Sequence, residues 1–163
     1  MNYLKFSIGI LVVLAASRFI PHPPNFTSLI ALSFYVPFFL GLNFIPVVVL
    51  SFALTDIYFG FHSVLFFTWG SVFIIGYMNK YLNKSIIVRF IGVTLSAISF
   101  FIITNFGVWL SGSYEYSIKG IIECYILALP FFGNTLISTI LYSSMIETIY
   151  FIYKTYYKKL INN

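Results

Sequence analysis

Charge is what this sequence has least of. Asp, Glu, Lys and Arg make up only 8% of its 163 residues, against about 25% in an ordinary soluble domain. A water-exposed surface cannot be built from so few charges, which excludes a soluble enzyme and a disordered tail. Acids are the scarcer sign, four against nine Lys and Arg. The surplus of +5 is not a phosphate-binding footprint. The basic residues are scattered along the chain rather than gathered on one face, so nucleic acid is excluded as a partner. The single cysteine, Cys124, excludes internal disulfides and any Cys-based zinc site. Also missing are a glycine-rich phosphate loop, a CxxC pair, paired carboxylates in one segment and a Ser-His-Asp arrangement with a nucleophile elbow. The chain therefore reads as a protein that is not an enzyme and needs no cofactor. Any ATP-driven work would require a partner.

What is present is apolar. Hydrophobic residues account for 60% and aromatics for 21%, and the mean hydropathy is +0.97. A helix crossing a bilayer needs about 20 mostly apolar residues. The expected fold is all-α: one polytopic membrane domain over residues 1–163, with about six transmembrane helices and a broken segment before the last. The first helix runs from about Tyr3 to Ile20. Two short ones follow, Thr27 to Gly41 and Phe44 to Gly60, carrying Pro37 and Pro46. The fourth covers Ser63 to Asn79 and the fifth Ile86 to Leu110. The last apolar stretch, Ile118 to Tyr153, is too long for one span. Pro130 and Gly133 divide it into a short piece, which spans halfway, re-enters or lies at the interface, and a full helix from Phe132 to about Lys154. Continuous apolar runs exclude the alternating pattern of a β-barrel. Lys5 and the first apolar run resemble a signal peptide, but Arg18 and a proline cluster follow Ala15-Ala16-Ser17 at once, so this segment is expected to stay as a helix.

Lysine and arginine near helix ends set the orientation. One side collects Lys5, Lys80, Lys84, Arg89, Lys154, Lys158 and Lys159; the other has Arg18 and Lys119. Both termini are accordingly expected in the cytoplasm of a bacterium, with the chain in its inner membrane. Tyr156 and Tyr157 beside the terminal lysines suit an interfacial anchor.

The informative residues are those a membrane rejects. This topology gathers them at the outer ends of the helices. Arg18 closes the first, and Asp56 lies about one turn inside the end of the third, with His62 just beyond. Asn105 and Trp109 mark the end of the fifth, and Asn134 begins the last. The strap Pro21-His22-Pro23-Pro24-Asn25 joins the first two helices. Three prolines in four residues stiffen it, so it would hold His22 and Asn25 at fixed positions as a lid or site wall. The candidate binding residues are thus Arg18, His22, Asn25, Asp56, His62, Asn105, Trp109 and Asn134, with no catalytic or metal-ligating set. Each also has a plainer reading. Arg18 and Asp56 would pair as a structural lock, Arg18 would snorkel, the histidines would be ordinary loop residues, and Trp109 would anchor at the interface. Two histidines with Asp56 would also make a three-ligand metal site. Glu147 is expected to face the bundle or a partner. Gly92 and Ser96 have the small-xxx-small spacing that lets helices approach closely.

Four blocks carry a resemblance. They are Arg18-Phe19-Ile20-Pro21-His22-Pro23-Pro24-Asn25-Phe26-Thr27, Thr55-Asp56-Ile57-Tyr58-Phe59-Gly60-Phe61-His62, Thr104-Asn105-Phe106-Gly107-Val108-Trp109 and Cys124 to Thr135. Together they resemble a family of small uncharacterised bacterial membrane proteins, which often has proline where this chain has Ser28. That family is similar in layout to the substrate-binding S components of energy-coupling factor transporters. The resemblance implies a site open to the outside for a vitamin-like molecule or metal ion. It also implies docking on a membrane coupling subunit with ATPases. The first helix has Gly9, Ala15 and Ala16 without the AxxxA-type spacing that S components use for docking. The alternative is a structural or assembly subunit of envelope machinery, surrounded by membrane lipid and binding no small molecule.

Overall fold

The computed structural model describes residues 2–161, with side chains through residue 156. The side chains of Tyr157, Lys158 and Lys159, counted above as membrane signals, lie outside the described residues. Seven α-helices follow one another: α1 (Asn2–Phe19), α2 (Leu29–Leu40), α3 (Ile45–Phe59), α4 (Leu65–Met78), α5 (Ile86–Val108), α6 (Ile118–Leu127) and α7 (Leu129–Ile161). No strand occurs among the described residues. A 3-10 turn, Leu42–Phe44, leads into α3, and a π-helical turn, Trp109–Ser113, ends α5.

The stops and starts have local causes. Gly41 and Gly60 follow α2 and α3 with φ of 91° and 94°, a region only glycine enters freely. Ser85 caps α5 by accepting the Val88 amide at 3.3 Å, and Ser117 caps α6 by accepting that of Gly120 at 3.1 Å. The break before the last helix falls at Ala128, two residues ahead of Pro130. Proline has no amide hydrogen to donate and suits the first turn of a helix, so Pro130 opens α7 rather than ending α6. Gly133 lies inside α7 with open space around it.

Four segments are long and apolar enough to cross a membrane: Asn2–Phe19, Leu42–Phe59, Ile86–Ser113 and Leu129–Tyr156. α2 and α4 are shorter apolar helices. Twelve residues make α2 only about 18 Å long, yet it is the post of the bundle. Eight of its residues are buried, and it touches α3, α4, α5 and α7. Leu29 and Val36 join Ile10 and Leu14 of α1, Val48 and Phe52 of α3 and Val72 of α4 in one core cluster. Ile30, Phe34 and Tyr35 join Ile75 of α4 and Val93 of α5 in a second. Gly92 lets α5 close on α2: a Cβ there would lie 2.6 Å from Phe34 Cζ.

α7 and α3 each bury polar residues and expose apolar ones. On α7, Thr135, Thr139, Ser143 and Glu147 are buried at one-turn intervals, whereas Ile137, Leu141, Met145 and Ile149 are exposed. α3 likewise exposes Leu50, Leu54 and Ile57 and buries Ser51, Thr55 and Asp56. Such a surface is stable against lipid tails and not against water.

Candidate functional site

The ends of α1 and α3 meet at Arg18. One nitrogen of its guanidinium, Nη1, donates to three oxygens of α3: Asp56 Oδ1 at 2.7 Å, the Phe52 carbonyl at 3.4 Å, and Thr55 Oγ1. The guanidinium carbon sits over the rings of Phe52 at 4.6 Å and Phe59 at 4.9 Å. The second oxygen of Asp56 accepts Trp69 Nε1 of α4 at 2.8 Å. Asp56 is only 1% exposed, so both of its oxygens are taken by protein donors in a buried setting. That is what a buried carboxylate requires.

Beside this pair opens a cavity of about 620 Å³, bounded by the strap, the ends of α1, α3 and α5, the start of α4, and the α6–α7 break. Of the candidate residues, Arg18, His22, Asn25, His62 and Asn105 line it. Asp56 does not; it stands behind Arg18. Trp109 and Asn134 do not line it either, and each holds a loop. Trp109 Nε1 donates to the Glu115 carbonyl at 3.0 Å, which ties the π-helical turn to the segment before α6. Asn134 Nδ2 donates to the Pro24 carbonyl at 3.0 Å, which ties the strap to α7.

The strap is held along its length. His22 Nδ1 meets the Pro23 carbonyl at 2.7 Å. A carbonyl only accepts, so Nδ1 is the donor there. Asn25 takes a left-handed conformation, φ 63°, which short amide side chains tolerate. Beyond it, Ser28 Oγ and Ser17 Oγ meet at 2.7 Å and join the start of α2 to the end of α1. Sequence reasoning placed Thr104 with Asn105 at the end of the fifth helix but did not single out the aromatic part of the lining. Phe100 and Phe101 of α5, Phe131 and Phe132 of α7, Thr68 of α4 and Thr104 of α5 complete the wall. In so aromatic a chain nothing local marks these phenylalanines off from lipid-facing ones.

A second polar cluster lies at the other end of the bundle, about 22 Å along α5 from Thr104. Glu147 of α7 accepts Arg89 Nε at 2.5 Å on one oxygen and Arg89 Nη2 at 2.7 Å on the other. The Tyr35 hydroxyl of α2 adds a bond at 2.8 Å. Arg89 was counted above only as a topology signal. It is buried, and the ring of Phe38 lies 4.8 Å from its guanidinium carbon. The available signal was an arginine inside an apolar helix together with an acid inside another. The chain has two arginines, and each is paired with a buried acid.

An all-helical bundle with four helices of membrane-crossing length, apolar outer faces and a cavity at one end is the architecture of a membrane-embedded protein of the all-α class, and the chain is compatible with it. The chain belongs to a family of unknown function, DUF6580, whose model matches residues 2–160. No curated protein matches it, and no solved structure does.

Proposed function

We propose that this protein is the ligand-binding subunit of a transporter, similar in layout to the S components of energy-coupling factor systems. The observation that carries the reading is the cavity. Its volume, about 620 Å³, falls in the range that encloses a small organic molecule. Its wall combines aromatic surface with a few polar groups, and it is roofed by a stiff strap tied to α1 and α7. Among the described residues no three His, Cys, Asp or Glu side chains gather to hold a metal, which favours a vitamin-like molecule over a metal ion. In this reading α2 and α4 also cross, shielded by longer neighbours, which makes six crossings with α6 as a half-span. Both termini are cytoplasmic in an inner membrane. The cavity opens outward, the chain itself is not an enzyme, and partner ATPases acting through a coupling subunit drive release.

Native mass spectrometry of the protein, purified in mild detergent from its own host, tests this. A bound small molecule and co-purified ATPase subunits are the expected result. Ligand-free protein carrying envelope proteins or lipid would move the reading to a structural subunit, which the existing Arg18–Asp56 pairing favours. Orientation is checked separately with Lys84→Cys and Lys119→Cys in a Cys124→Ala background. Impermeant reagents should label position 119 from outside and position 84 only after lysis.

A further inference from the structure

The cavity has a charge asymmetry that narrows what it takes. Among the described residues no Asp or Glu lines it. Asp56, behind Arg18, has one oxygen on Arg18 and the other on Trp69, so each oxygen already holds a protein donor. Arg18 is differently placed. All three of its hydrogen bonds leave from Nη1. Nη2 and Nε have no acceptor among the described residues, and neither is a sealed, orphaned atom. The side chain keeps 16% of its surface open while lining the cavity. A guanidinium presents its donors as a planar fork. With Nη1 pinned to α3, the Nη2–Nε edge is left for a second planar acceptor.

Resting on the ligand-binding reading, we propose that the ligand is a small organic acid, its carboxylate on the free edge of Arg18 and its apolar body against the cavity's phenylalanines. Phe101 and Phe132 lie 4.8 Å apart, centroid to centroid, and both line the cavity. They form a surface suited to a ring or short hydrocarbon. Asp56 then has a defined role. It fixes Arg18 in place and also moderates its charge, so an acid binds reversibly rather than permanently.

The test uses three probes of one shape: 3-phenylpropionate, 3-phenylpropionamide and 3-phenylpropylamine, titrated onto the detergent-purified protein and read by thermal shift. The acid should stabilise the wild type at lower concentration than the amide, and the amine should have no effect. Arg18→Lys keeps a cation beside Asp56 but lacks the fork, so the acid should lose its advantage over the amide while the bundle remains folded. Asp56→Asn removes the like charge behind the guanidinium and should tighten the acid about tenfold. A lock with no ligand role predicts no tightening. Equal binding of acid and amide, preference for the amine, or weaker acid binding in Asp56→Asn overturns the proposal. A neutral or cationic molecule carried from the host would overturn the acid assignment and leave the ligand site standing. Protein that carries no molecule and responds to no probe overturns both.

Discussion

Removing the Glu147 carboxylate should be among the most destabilising single changes in this protein. Two charge-assisted bonds, at 2.5 and 2.7 Å, join it to Arg89, and the Tyr35 hydroxyl adds a third at 2.8 Å. The two side chains are 9% and 6% exposed. Glu147→Ala leaves a guanidinium enclosed beside Phe38 and Tyr150 with no counter-charge. Breaking a buried pair from one side costs about 3–5 kcal/mol. Tyr35→Phe removes only one hydroxyl donor and should cost about 1 kcal/mol. The double change Arg89→Met with Glu147→Met removes both charges and fills the space, so it should cost less than Glu147→Ala alone. The assay is equilibrium unfolding in mixed micelles, with the double-mutant cycle read from the midpoints. A cost for Glu147→Ala below about 1 kcal/mol would refute a buried, interacting pair. The pairing is also refuted if the double variant loses the sum of the losses of Arg89→Met alone and Glu147→Met alone, because additive losses mean that the two groups do not interact.

Four further outcomes are expected. Gly107→Ala places a Cβ 2.4 Å from Phe67 Cγ and should lower stability by about 1–3 kcal/mol through overpacking. Gly133→Ala, where a Cβ meets open space, should be neutral or slightly stabilising in the same unfolding assay. Cys124 is 1% exposed at the cavity wall. A polyethylene-glycol maleimide should therefore not label it in the native protein and should label it fully in SDS; rapid native labelling would contradict the burial. At Asn25, with φ 63°, glycine should be tolerated, whereas valine should cost about 1–2 kcal/mol of backbone strain, measurable as a lower unfolding midpoint.

The helical segments were legible because the bilayer rule depends only on local composition. The broken segment was legible as well, although the break sits at Ala128 rather than between Pro130 and Gly133. Arg18 and Asp56 stood out because a membrane rejects charge wherever it falls. What could not be read is which side of a helix faces inward. α2 is apolar all round, and such a helix reads equally as lipid-facing or central; only packing against α3, α4, α5 and α7 makes it the post. Trp109 and Asn134 share the cavity's end of the bundle, but their partners are backbone carbonyls of loops, Glu115 and Pro24, whose positions no spacing reveals. Arg89 was misjudged for the same reason. Near a helix end its charge looks like a topology signal, and its burial depends on a residue 58 positions away.

That separation has a consequence for biogenesis. Arg89 leaves the ribosome 58 residues ahead of Glu147, which at about 5–20 residues per second is an interval of about 3–12 s. Throughout that time α5 lacks the acid that neutralises Arg89 in the folded bundle. Arg18 waits in the same way for Asp56, 38 residues later. The two ion pairs therefore become possible in chain order: the first once α3 has followed α1, and the second only once the last helix has been made.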